Sequence, residues 1–179
     1  MANQQLTDVK TLRARARQNI EEGAVTSTYQ ADRAAVLKML NDALATELVC
    51  ALRYRRHYFM AKGLESKSVA DEFLVHSNQE LEHADRIAER IVQLGGAPDL
   101  APDTLSGRSH AEYVEAKSLV DMIKEDLVAE RIAIDSYREM VQFLGENDST
   151  SRRLLEQILE VEEEHAEELS DFLQDMCCS

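Results

Sequence analysis

Apolar residues recur at Val36, Leu37, Leu40, Leu44, Leu48, Ala51 and Leu52. That i, i+3, i+4, i+7 rhythm predicts an amphipathic helix from Ala31 to about Lys62, ended by Gly63. Val69, Phe73, Leu81, Ile87, Ile91 and Leu94 predict a second long helix over Ser66–Leu94, all six facing inward. Gly95-Gly96-Ala97-Pro98 stops it. Residues 95–110 hold three of the six glycines and both prolines, the one extended stretch without helical pattern. A third helix runs to about Leu144, preceded by a candidate short helix at Ser109–Lys117. After Gly145-Glu146-Asn147-Asp148 a fourth spans Ser149 to about Met176. A short helix is expected over residues 6–22, ended by Gly23.

Connection lengths set the topology. Short links make helices one and two, and three and four, antiparallel neighbours, and the long link can run the length of the molecule. The expected fold is all-α, a four-helix bundle with one long crossover between helices two and three, plus a short N-terminal helix. The expected organisation is an N-terminal extension over 1–30, one bundle domain over 31–176 and a tail over 177–179.

Composition narrows the function. Of 179 residues, 34 are acidic and 20 basic, giving a net charge of −14. Such a surface repels phosphate backbones and argues against DNA as a partner. No apolar run is long enough to span a membrane. The polar first twenty residues lack a secretory signal, so the cytoplasm is expected. Three cysteines, with Cys177 and Cys178 adjacent, do not make a disulfide framework.

The chemistry sits in two Glu-x-x-His units, Glu80 with His83 and Glu162 with His165. Residues three apart on a helix lie about 60° apart and about 4.5 Å along one face, so each unit can offer a carboxylate and an imidazole to one metal. Glu47 precedes Glu80 by 33 residues, and Glu130 precedes Glu162 by 32. Antiparallel pairing across a short turn would bring each glutamate level with its unit. Tyr54 and Tyr137 each follow one of these glutamates by seven residues and share its face. Four carboxylates balance two divalent cations, which makes burial tolerable. Oxygen and imidazole donors suit iron or manganese, and zinc can compete. Without metal, some of the carboxylates should hold protons. A metal-free lattice of buried ion pairs is the alternative.

Glu47-Leu48-Val49, Glu80-Leu81-Glu82-His83-Ala84-Asp85-Arg86, Glu130 and Glu162-x-x-His165 resemble bacterioferritin and its ferritin-like relatives, over about residues 34–173. The resemblance implies a di-iron ferroxidase centre that oxidises Fe(II) with dioxygen or hydrogen peroxide. Glu80 and Glu162 would bridge two iron ions per subunit, Glu47 and Glu130 would each cap one, and His83 and His165 would each bind one. Tyr54 and Tyr137 would each hydrogen-bond a terminal glutamate of the opposite hairpin. The haem-ligating methionine of bacterioferritin is replaced by Leu81, which argues against haem. Only 14 residues follow His165, too few for the fifth helix of 24-subunit cages. The longer crossover and N-terminal extension are similar to Dps-like miniferritins, whose shells have twelve subunits. The expectation is an iron-storing and detoxifying cage, a dodecamer rather than a 24-mer. The alternative is a rubrerythrin- or catalase-like di-iron or di-manganese peroxidase or oxidase without mineral storage. Cys50 reads as a small buried hydrophobe. His76 is a candidate transient iron site, and the basic stretch Lys10, Arg13, Arg15 and Arg17 reads as a helix docking on a neighbouring subunit.

Overall fold

The computed structural model describes residues 6–61 and 66–178, the side chains of Cys177 and Cys178 excepted. The expected stop at Gly63 lies outside the described residues. The helices are α1 (Val9–Arg15), α2 (Arg33–Met60), α3 (Lys67–Gln93), α4 (Leu105–Arg108), α5 (Leu119–Leu144) and α6 (Ser149–Cys178), with a 3₁₀ turn over Ile20–Glu22. No strand occurs among the described residues. The fold is the all-α four-helix bundle, built from α2, α3, α5 and α6 as two helical hairpins.

Local chemistry sets the helix ends. The Asp32 carboxylate accepts from the Ala34 and Ala35 amides and starts α2, and the Ser118 hydroxyl accepts from the Asp121 amide and starts α5. At the end of α3, Gly95 has φ +74°, its amide donates to the Val92 carbonyl, and the Gly96 amide donates to the Ile91 carbonyl. That is a Schellman turn, with glycine where a Cβ would be strained. A Cβ at Gly96 would lie 2.5 Å from Leu37 Cδ2, so a larger residue there requires the Leu37 side chain to shift.

Asp148 ties three segments together at this end of the bundle. It accepts from Tyr29 Oη at 2.8 Å, Arg90 Nη2 at 3.0 Å and the Ser151 amide at 2.9 Å. The linker before α2, the end of α3 and the start of α6 are thereby joined.

The core has two apolar ends. Val36, Leu40, Leu44, Ile87, Ile91, Leu94, Leu144, Leu155 and Ile158 fill one, and Val69, Phe73, Met122, Ile123 and Leu169 fill the other. The buried Glu47, Glu80, His83, Glu130, Glu162 and His165 lie between them.

The crossover departs from expectation. A four-residue helix, α4, precedes the segment 109–117, which is not helical. Side chains of α2 compete for its backbone: the His110 amide donates to Thr46 Oγ1 at 3.0 Å, and Arg53 Nη1 donates to the Glu112 carbonyl at 2.8 Å. Buried Ala111 packs against Cys50 and Ala129, a close approach that suits extended chain. The crossover follows α2 from Asn41, which accepts the Asp99 amide, to Arg56, which pairs with Glu115. It therefore delivers α5 to the far end of the bundle.

The N-terminal segment is broken, with α1 limited to seven residues and Asn19 in the left-handed region at φ +49°. No residue of α1 or of the 3₁₀ turn is buried, so no packing sustains a longer helix there. Leu81, expected to face inward, is 40% exposed, and Leu52, part of the apolar rhythm of α2, is 57% exposed. Each sits on the outer side of its hairpin, where apolar periodicity alone cannot distinguish core from an outward apolar position.

Candidate metal centre

Each bundle helix brings its share of donors to the middle of the molecule. Glu47 comes from α2, Glu80 and His83 from α3, Glu130 from α5, and Glu162 and His165 from α6; all six are at most 3% exposed. Two sets of donor atoms each converge within 4.8 Å, one from Glu47, Glu80, His83 and Glu162, the other from Glu80, Glu130, Glu162 and His165. Glu80 and Glu162 belong to both sets.

The imidazoles are aimed by their Nδ1 atoms. His83 Nδ1 lies 3.1 Å from Glu47 Oε2 and 2.9 Å from Glu162 Oε1. His165 Nδ1 lies 3.4 Å from Glu80 Oε1. Its other nitrogen, Nε2, is 3.0 Å from Gln79 Oε1, which accepts its proton. That bond turns Nδ1 toward the carboxylates, the arrangement expected behind a metal-binding histidine. Gln79 was not legible as a site residue, although it directly precedes Glu80.

The tyrosines reach across the bundle. Tyr54 Oη donates to Glu130 Oε1, and Tyr137 Oη donates to Glu47 Oε1. Each links one hairpin to a glutamate of the other and fixes which carboxylate oxygen remains free. Burial, then the adjacent glutamate charge, pushes both phenols well above their ordinary range, so they stay protonated donors.

Glu80 Oε1, Glu130 Oε2, Glu162 Oε1 and His165 Nδ1 are buried without a well-formed hydrogen bond. Buried polar atoms are normally satisfied, and four such atoms facing one another mark a place for a ligand. The donor chemistry, carboxylate oxygens with imidazole nitrogens, fits iron or manganese.

Protons hold the metal-free cluster together. Burial, then the charge on Glu80, pushes Glu47 up to about 8 and raises Glu130 and Glu162. Glu80 moves the other way: burial opposes ionisation, but His165 and His83 hold it well below the usual range. Burial works against charging His83, yet Glu47 and Glu80 raise it to about 10; His165 is raised against the same opposition, chiefly by Glu80. Groups raised on folding stabilise the protein below their unfolded pKa, and that stability is lost as pH climbs through the folded value. For Glu47 the window runs from 4.5 to about 8, and for His83 from 6.5 to about 10. Glu80, depressed on folding, contributes above 4.5 and loses its contribution in acid. Chelator-treated protein should therefore have a melting temperature that falls between about pH 5 and pH 9. Divalent cations displace these protons, so their affinity should rise with pH over the same range. A metal-free melting temperature that climbs with pH would contradict these proton positions.

A second buried network lies beside the cluster. Asp126 accepts from Arg53 Nε at 2.8 Å, and its other oxygen lies 2.8 Å from His57 Nδ1. Cys50 is buried nearby, and burial pushes its thiol well above the ordinary range. His110 Nδ1 lies 2.9 Å from Ser136 Oγ, away from the donors.

No helix among the described residues is long and apolar enough to cross a membrane. The family model for the ferritin-like domain matches residues 37–178. A nutrient stress-induced DNA-binding protein of Nostoc is 32% identical, over 78% of each chain. A bacterioferritin of Mycobacterium leprae is 30% identical, over 77% of this chain and 83% of its own. A dodecameric thioferritin, the bacterioferritin-related protein of Bacteroides fragilis, superposes with a TM-score of 0.79 at 30% identity, over 83% of this chain and 89% of its own. With sequence and architecture in agreement over most of its length, the chain belongs to the ferritin-like family and is related to both bacterioferritins and Dps-like proteins.

Proposed function

We propose that the buried cluster is a di-iron ferroxidase centre and that the protein stores and detoxifies iron as a hollow oligomer. Family membership supports iron storage and protection in general. The observation that carries the specific reading is the pair of converging donor sets sharing Glu80 and Glu162. In this reading Glu80 and Glu162 would serve both cations, Glu47 and Glu130 would each hold one, and His83 and His165 would each add an imidazole nitrogen. A glutamate from each of two helices and a Glu-x-x-His from each of the other two is the recurrent set of di-iron and di-manganese carboxylate bundles.

Fe(II) is the substrate. Two ferrous ions supply two electrons, which with two protons reduce dioxygen to hydrogen peroxide, or hydrogen peroxide to two waters. The carboxylates offset the cations' charge in a site closed from water by the two apolar ends of the core. Tyr54 and Tyr137 hold the terminal glutamates in place, and Gln79 orients His165. The displaced protons leave the cluster as the cations enter. Leu81 offers no donor for haem, so supplied haem should give no stoichiometric low-spin spectrum.

Exposed apolar side chains support an oligomer. Leu52 and Phe59 lie two turns apart on α2, 57% and 68% exposed, and Leu81 is exposed on α3. Leu6, Val9, Leu12 and Ile20 leave the N-terminal segment without a buried face in the single chain. A neighbouring subunit would cover these residues. The related Bacteroides protein is dodecameric. Light scattering should give a mass near twelve times the 20.2 kDa chain, roughly 240 kDa. A mass near twice that value, or near two chains, would overturn the dodecamer and leave the metal centre standing.

A further inference from the structure

The six central donors and the two tyrosines repeat between the hairpins, but their surroundings do not. Glu130 follows Glu47 by 83 residues, and Tyr137 follows Tyr54 by 83. The same interval matches Asp126 with Ala43, Arg53 with Ser136 and His57 with Met140. One turn before Glu130 on α5, the buried Asp126 carboxylate meets Arg53 Nε and His57 Nδ1 of α2, each at 2.8 Å. One turn before Glu47 on α2, Ala43 is buried in the apolar core together with Met140. Ser136 places its hydroxyl 2.9 Å from His110 Nδ1 instead.

Apolar residues therefore suffice for packing beside Glu47, and the charged set beside Glu130 needs another reason. A buried ion pair is commonly no more stabilising than apolar residues of similar volume. Arg53 Nη2 and His57 Nε2 are also buried without a hydrogen bond, which adds to the cost of this network. What the network has, and apolar contact lacks, is direction. A short turn sets the register within each hairpin, but α2 and α5 belong to different hairpins. Arg53 and His57 lie on either side of Tyr54 in α2, so the network and the Tyr54–Glu130 bond join the same two helices at the same level. Two bonds to one carboxylate resist both sliding and rotation of α5 against α2. Either motion would carry Glu130 Oε2, the oxygen that Tyr54 leaves free, away from Glu80, Glu162 and His165.

We propose that Asp126, gripped by Arg53 and His57, is a positioning residue for Glu130, so that the cation position of Glu130 and His165 depends on this network and that of Glu47 and His83 does not. Removing a group that stands behind a metal ligand costs about tenfold or more in affinity. Here that loss falls on one position of the two. The proposal rests on the reading of the cluster as a two-cation centre.

Crystals of the full chain soaked without oxygen in Co(II), with anomalous diffraction at the cobalt edge, report the two positions separately. At a subsaturating concentration, Arg53→Met with Asp126→Leu should lower the peak against Glu130 and His165 about tenfold relative to the peak against Glu47 and His83. His57→Leu keeps the ion pair of Arg53 and Asp126 and removes one of the two bonds to Asp126. It should shift the ratio of the peaks in the same direction by a smaller factor. A loss of packing alone would weaken both peaks together and leave their ratio unchanged. Two wild-type peaks whose ratio is unchanged in the apolar variant, or in His57→Leu if the apolar variant does not fold, would overturn the positioning role and leave the metal centre standing. A wild-type cluster that takes up no cobalt would remove the two-cation reading, and the proposal with it.

Discussion

Glu80→Ala or Glu162→Ala should lower the rate of Fe(II) oxidation at least about tenfold. Each residue belongs to both donor sets, so one substitution removes a ligand from both cations and leaves excess positive charge in a buried site. The helices should persist, because both ends of the core are apolar and contain neither residue. Circular dichroism checks the fold while stopped-flow absorbance follows the oxidation. Unchanged rates in both variants would remove the assignment. A loss of helix alongside a loss of rate would instead mark the glutamates as structural.

Arg53→Ala should cost about 3–5 kcal/mol of stability. Arg53 and Asp126 are each at most 1% exposed, and Arg53 donates to both the Asp126 carboxylate and the Glu112 carbonyl. Removing the guanidinium leaves a buried carboxylate facing only His57 and removes one of the bonds that tie the crossover to α2. Replacing both partners by apolar residues, Arg53→Met with Asp126→Leu, should recover much of the loss, because no uncompensated charge remains. Chemical denaturation of the single and double variants measures the difference. A double variant no more stable than Arg53→Ala would show that the pair contributes more than the mutual compensation of two buried charges.

The fold and the central donors were legible for the same reason. A helix maps sequence spacing directly onto a face, and two antiparallel hairpins repeat that mapping. The intervals from Glu47 to Glu80 and from Glu130 to Glu162 thus indicated which residues meet. The two-turn spacing put Tyr54 and Tyr137 on the faces of Glu47 and Glu130, and the family resemblance implied their bonds to the opposite hairpin's glutamates. The Arg53–Asp126–His57 network was not legible, because α2 and α5 are far apart in sequence and nothing local specifies which charges meet. A weak signal existed in Asp126, which lies one turn before Glu130 on the same face. The segment 109–117 was misread because Thr46 and Arg53 bond its backbone, and local propensity cannot register partners more than fifty residues away. Leu81 was misread because an apolar residue on a helix can lie on an outer face as well as in a core.

The central claim is oxidation of Fe(II) at the cluster followed by storage. The most direct measurement is aerobic loading with Fe(II) in stepwise excess, then separation by size and an iron count per subunit. Rapid oxidation should saturate at about two Fe(II) per subunit. Further additions should give iron that co-elutes with the assembled protein at many times that ratio. Iron that oxidises no faster than in buffer, or that never exceeds about two per subunit, would contradict the account; the second result would leave a di-iron peroxidase or oxidase without storage.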